Sequence, residues 1–219
     1  MSERWPGDEH EESDVVEVED DRLEDEERVH ELPLEEEPLI ADGDTPVPGA
    51  SEQHAGGRLD VPDDVDLIEG VPEGGRRSVA VVAARFNGEI TNRLLESALG
   101  ELDRLGVRRE SVAVMPVPGA FELPLAAMAL AKTRRYACIV ALGCVVRGET
   151  PHFEYVASEA ASGLQLAALE TGVPVAFGVL TVDTVEQAEA RVEKGAEAVR
   201  TALEMADAFA QLRAAASAR

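Results

Sequence analysis

His152 is the only histidine beyond residue 65 of a 219-residue chain, and it directly follows Arg147-Gly148-Glu149-Thr150-Pro151. Imidazole titrates near neutral pH, so a histidine beside a loop can pass protons to and from a substrate. The residues before it suit an anion. Gly148, Glu149 and Thr150 lead into a helix expected to start near Pro151. Unpaired backbone N–H groups, the positive end of the helix dipole and the Thr150 hydroxyl would converge there. Two plainer readings stand beside these, a structural histidine and an ordinary helix cap. Phe86 and Phe121 each follow an expected strand end. In a chain with five phenylalanines, two in such loops offer a stacking surface for a flat ligand. Simple loop packing is the alternative.

Other chemistries lack their residues. There is no G-x-G-x-x-G, no P-loop lysine, no G-x-S-x-G elbow, no zinc-ligand spacing and no carboxylate-rich metal site. Neither a metal site nor a nucleotide-cradling loop is therefore expected. Cys138 and Cys144 lie inside apolar segments, which reads as buried thiols in a reducing cytoplasm. The first residues, MSERWPGDEHEESD, have neither the basic nor the apolar region of a secretory signal. No apolar stretch approaches the ~20 residues that span a bilayer. A cytoplasmic protein without a membrane partner is the expectation.

The candidate residues need a scaffold, and the hydrophobic pattern supplies one. Ser78–Ala84 and Cys138–Val146 are continuous apolar runs, the mark of strands buried on both faces, and Cys138–Val146 is the expected central strand. Val112–Val117 and Val175–Leu180 read as further strands, and Val65–Ile68 as a short edge strand. Ile90–Leu105 has helical period and stops at Gly106. Phe121–Lys132 and Phe153–Glu170 read as two more helices. Thr184, with Glu186 and Gln187 behind it, caps a stretch running through Val192, Ala196, Val199, Leu203 and Ala206. Strands alternating with helices predict a parallel sheet covered on both faces. Ligands bind such sheets at the carboxyl ends of the strands. The loops Arg85–Glu89, Pro118–Glu122, Arg147–His152 and Thr181–Thr184 should gather there.

The net charge of −24 is unevenly placed. Residues 1–75 hold 27 acidic and 4 basic side chains, whereas residues 76–219 hold 17 and 16. A halophile would carry the acid on its folded surface, so this is a near-neutral domain with an acidic extension. Residues 1–65 have too little apolar area to offset their ordering entropy and are expected to be a disordered tail. Residues 66–219 are expected to fold. The tail is either a solvated segment, an electrostatic tether or the filler of an enclosed space. So acidic a chain is a poor partner for nucleic acid.

Taken together, the loops carry a pattern. It comprises Arg85-Phe86-Asn87, Pro118 to Pro124 (PGAFELP), Gly143 to Val156 (GCVVRGETPHFEYV), and Phe177 to Thr181 with Thr184, Gln187 and Arg191. This order and spacing resembles the 6,7-dimethyl-8-ribityllumazine synthase family of riboflavin biosynthesis, from about Asp66 to the C-terminus. The resemblance implies a flavodoxin-like three-layer α/β/α sandwich. It implies condensation of 5-amino-6-(D-ribitylamino)uracil with 3,4-dihydroxy-2-butanone 4-phosphate, releasing phosphate and water and using no metal or cofactor. It also implies a homo-oligomer with sites between neighbouring subunits: a pentamer, or twelve pentamers in a 60-subunit icosahedral shell.

Carried onto this chain, Phe86 stacks on the pyrimidine, with Asn87 beside it. Ala120, Phe121 and Glu122 take the ribityl chain. Val145 and Val146 meet the pyrimidine edge through their backbone. Gly148, Glu149 and Thr150 cradle the phosphate, with Arg191 from a neighbour and Lys194 near by. His152 moves protons, and Phe177 closes the pocket from the adjacent subunit. Two departures stand out. The segment from Arg191 to Glu197 is shorter than the family pattern by about five residues, which could merge two helices. The acidic tail is additional, and it implies a basic cargo, a partner such as riboflavin synthase, or a limit on assembly size. A shell or scaffold with weakened catalysis, or a flavin- or lumazine-binding module, are the competing readings.

Overall fold

A computed structural model describes residues 59–217. Four strands, β1 (Val79–Ala84), β2 (Val112–Val117), β3 (Cys138–Val146) and β4 (Val175–Val182), form one sheet. Every pairing is parallel, and the order is β2-β1-β3-β4. The helices are α1 (Gly88–Arg104), α2 (Leu123–Lys132), α3 (His152–Thr171), α4 (Val185–Glu189) and α5 (Lys194–Ser217). The α/β architecture with a covered parallel sheet is the one expected. Residues 1–58 of the stretch expected to be a disordered tail lie outside the described residues.

The continuous apolar runs follow from two separate cores. Successive strand residues face opposite sides. Val79, Val81, Val140 and Leu142 pack with Leu94 and Leu102 of α1 and Val199 and Leu203 of α5. Ala80, Val82, Ile139 and Ala141 pack on the other side with Leu123 and Ala127 of α2 and Leu164 of α3. With a helical layer on each face, β1 and β3 have no position left for a polar residue. Both cysteines are buried and free. Burial pushes the Cys138 thiol up to about 12 and raises that of Cys144, so both stay protonated.

Two sequence expectations fail. Val65–Ile68 joins no sheet, and Val65, Leu67 and Ile68 are more than half exposed. The chain just after them is captured by a helix instead. The Val71 N–H donates to Asp207 at 3.1 Å, and Gln211 Nε2 donates to the Glu69 carbonyl at 2.8 Å. Gly70 lies so close to α5 that a Cβ would sit 2.0 Å from the Glu204 carbonyl oxygen. Strand formation needs an open edge alongside, and this segment runs past a helix.

The single helix expected beyond Thr184 is two helices. Thr184 does cap α4, its hydroxyl accepting from the Gln187 N–H at 3.3 Å. The chain then turns, with Arg191 N–H donating to Ala188 and Lys194 N–H to Arg191. The axis changes because α5 docks on α1. The Ala196 N–H donates to Ser97 Oγ at 3.2 Å, and Gly195 meets the α1 backbone directly. The shortened connection therefore keeps a break between the helices.

The same α1–α5 seam holds Glu101, the one buried charged residue among the described residues. Glu101, with 8% of its side chain exposed, accepts from Arg104 Nε at 2.7 Å and from Arg200 at 2.9 Å. Its hydrogen bonds to Arg104 chiefly, then those to Arg200, bring the carboxyl from 4.5 down to about 2 against the opposing push of burial. A lowered native value means stability that is present above pH 4.5 and lost as pH falls through about 2. The shift corresponds to about 3 kcal/mol. Urea unfolding should show wild type losing its margin over Glu101→Gln across that window, and a margin that stays constant down to pH 2 would refute it.

Candidate active site

The sheet places three loops together at its carboxyl end. Past β1 and β2 the ladder continues, with Arg85 N–H donating to Val117 and Phe86 N–H to Pro118 at 3.0 Å. This sets Phe86 beside the Pro118–Glu122 loop. Asn87 then takes a left-handed backbone (φ 54°), and its Nδ2 donates to the Cys144 carbonyl at 2.9 Å. The β1 loop is thereby tied to β3. In the next loop the Glu122 carboxylate accepts from the Gly119 N–H at 2.8 Å, closing a turn that hands the chain to α2.

Between these loops and the start of α3 lies a cleft of about 450 Å3, within the range of small-molecule sites. Phe86, Asn87, Ala120, Phe121, Glu122, Val145, Val146 and His152 all line it. Phe86 and Phe121 are 72% and 57% exposed, so neither ring serves the core. His152 is the first residue of α3 and is exposed. The arrangement offers aromatic faces, backbone groups of β3 and one imidazole around a space sized for a planar ligand.

The cleft also takes in Gly119, Cys144, Phe153, Tyr155 and Val156, which the sequence reading did not single out as binding residues. A signal for two of them exists. Tyr155 and Val156 stand three and four positions after His152, hence on its face of the helix. Arg147 is held outside the cleft, its Nε donating to Asp183 at 2.6 Å and its guanidinium 4.3 Å from the centre of the Phe153 ring.

Six expected residues do not line this cleft. Gly148, Glu149 and Thr150 form an exposed loop before α3, adjacent in sequence to His152. Phe177 is 48% exposed on β4, the edge strand beyond β3. The Arg191 guanidinium donates to the Gln187 carbonyl at 2.8 Å. Lys194 Nζ donates to Glu197 at 2.6 Å.

The sequence profile of the 6,7-dimethyl-8-ribityllumazine synthases matches residues 76–210, which spans all four strands and the whole cleft. The chain belongs to the 6,7-dimethyl-8-ribityllumazine synthase family. Curated lumazine synthases of Yersinia pestis (strain Pestoides F) and Yersinia pseudotuberculosis serotype O:1b are each 51% identical to it over 147 residues. The match covers 64% of this chain and 94% of each relative. The family is one of transferases, and its reaction is a condensation in riboflavin biosynthesis. The extra length of this chain lies outside the lumazine synthase match. Among the described residues, no cluster of His, Cys, Asp or Glu is placed to hold a metal ion, and no helix is long and apolar enough to cross a membrane.

The role of Asn87 in shaping this cleft is testable. Alanine removes the bond to Cys144 and resists the left-handed backbone, whereas glycine removes only the bond. Asn87→Ala should therefore cost about 2 kcal/mol of unfolding free energy and Asn87→Gly about half that. Equal losses in urea melts would show that the backbone conformation carries no cost.

Proposed function

We propose that this chain condenses 5-amino-6-(D-ribitylamino)uracil with 3,4-dihydroxy-2-butanone 4-phosphate to give 6,7-dimethyl-8-ribityllumazine, phosphate and water. The observation that carries this is the cleft itself. Exposed aromatic rings, the β3 backbone and the His152 imidazole line one space, within a chain that is 51% identical over 147 residues to curated lumazine synthases.

In this reading Phe86 stacks on the pyrimidine while the Val145 and Val146 backbone reads its edge. Ala120, Phe121 and Glu122 receive the ribityl chain. The amine attacks the ketone and water leaves, giving a Schiff base. Proton removal from the adjacent hydroxyl-bearing carbon then expels phosphate, the resulting enol tautomerises to a ketone, and the ribityl-bearing nitrogen attacks that carbonyl, closing the second ring with loss of a second water. Each step moves a proton, and His152 is the titratable imidazole on the cleft wall. Holding both substrates in one cleft supplies much of the acceleration. The Gly148-Glu149-Thr150 loop, adjoining the α3 N-terminus, accepts the departing phosphate.

Phe177, Arg191 and Lys194 lie outside the cleft of their own chain. Their proposed roles are met by a neighbouring subunit in a pentamer or larger shell, which makes the complete site intermolecular. The acidic residues 1–65 recruit a basic partner or cargo, or limit assembly through repulsion. The setting is the cytoplasm.

The deciding assay follows lumazine absorbance and fluorescence with the full chain and both substrates. Formation well above the uncatalysed condensation is expected. Background formation with intact substrate binding would instead make the chain a scaffold or binding module. Light scattering at low and high salt, with and without residues 1–65, tests the tail, and an assembly indifferent to both would remove its proposed roles.

A further inference from the structure

The opposite end of the sheet carries a second cleft, of about 550 Å3. It opens at the amino ends of β1 and β3, under the last turns of α5. β3 alone is nine residues long, so at ~3.3 Å per residue the two clefts stand roughly 30 Å apart. Arg76, Arg77, Arg134, Arg135 and Arg213 line it together with Tyr136. Five of the 16 basic side chains in residues 76–219 thus meet in one hollow of a strongly acidic chain.

Few of these charges are compensated. Arg77 pairs with Asp207 and also donates to the Glu73 carbonyl at 2.6 Å. Arg134 donates to the Thr171 carbonyl at the end of α3, a contact that brings no negative charge beyond the helix dipole. Arg76, Arg135 and Arg213 have no carboxylate partner among the described residues. Arg134 also holds a left-handed backbone (φ 58°), where glycine would be cheaper. Like charges gathered in a concave cleft repel one another and focus a positive field. A bound anion turns that cost into attraction.

We propose that this cleft binds a small molecule bearing a chain of two or more phosphates. Guanidinium groups grip phosphate oxygens through paired N–H bonds. Five of them, spread over this volume, exceed what a single phosphate can contact. The volume falls within the range for small ligands. Tyr136, half-buried with the Arg135 guanidinium 5.8 Å from its ring centre, adds a face for a planar base. A nucleoside triphosphate and an inorganic polyphosphate share this chemistry.

Calorimetric titration of the full chain at low salt with tripolyphosphate, ATP and orthophosphate tests the site. One tripolyphosphate per chain is expected, with orthophosphate at least tenfold weaker. Arg135 and Arg213 are exposed and outside both cores, so Arg135→Gln/Arg213→Gln should keep its fold, which circular dichroism checks. It should weaken tripolyphosphate at least tenfold, and Arg76→Gln should weaken it severalfold. Thr150→Val, in the other anion loop, should leave that affinity unchanged. ATP binding tighter than tripolyphosphate, with the excess lost in Tyr136→Leu, would identify a nucleotide. Equal affinities would identify a bare polyphosphate. The proposal falls if neither binds, if the arginine variants bind as wild type, if Thr150→Val abolishes binding, or if only an acidic polypeptide such as polyglutamate is held.

Discussion

His152→Ala should lower kcat for lumazine formation by about 10²-fold while changing KM little. The side chain stands at the first position of α3, on the cleft wall, exposed and outside both cores. Its removal should therefore leave the fold alone. General acid–base groups contribute typically 10² to 10⁴ in rate. The lower end is expected because solvent reaches this position and can relay protons in its place. Added imidazole should restore part of kcat in the variant and none in wild type. A kcat within twofold of wild type would move the proton transfers to water or to Tyr155, one turn further along the same helix.

Gly195→Ala should cost about 3 kcal/mol of stability, the upper range for forcing extra volume into a packed seam. The added Cβ would sit 2.2 Å from the Leu94 carbonyl oxygen and 3.0 Å from its carbon. Both are backbone atoms of α1, so no side-chain rotation relieves the clash, and α1 and α5 must part. The 3.2 Å bond from the Ala196 N–H to Ser97 lies next to the clash and should be lost with it. Gly100→Ala on the exposed side of α1 is the control, since nothing lies within 4 Å of its new Cβ. Alanine there should stabilise by about 0.5–1 kcal/mol through helix propensity and a stiffer unfolded chain. Urea midpoints moving in opposite directions would confirm both. A fall of under 1 kcal/mol for Gly195→Ala would show that the seam is looser than its geometry.

Much of the site is visible in the chain before it folds. Cys138–Val146 has the bounds of β3 because a strand covered on both faces must be apolar at every residue, and charged or turn residues end it abruptly. Phe86 and Phe121 stand out because each sits in a loop past the carboxyl end of a strand, where no core is left to bury a ring. His152 is marked by the loop that precedes it. These signals are local, and each reflects a constraint within a few residues.

Tertiary contact decided the rest. Apolar periodicity says which face is buried but not what covers it, so Val65–Ile68 reads like a strand yet leads into a segment held on α5 through Gly70. The pattern from Thr184 to Ala206 is continuous, yet the helix breaks, because the close approach of Gly195 to Leu94 sets the direction of α5. Cys144 enters the cleft only through the way α3 crosses the end of β3. The five arginines at the other end of the sheet come from three well-separated stretches of the chain, at 76–77, 134–135 and 213. Only the parallel sheet, which gathers the amino ends of β1 and β3 beneath one helix, brings them into a single cleft.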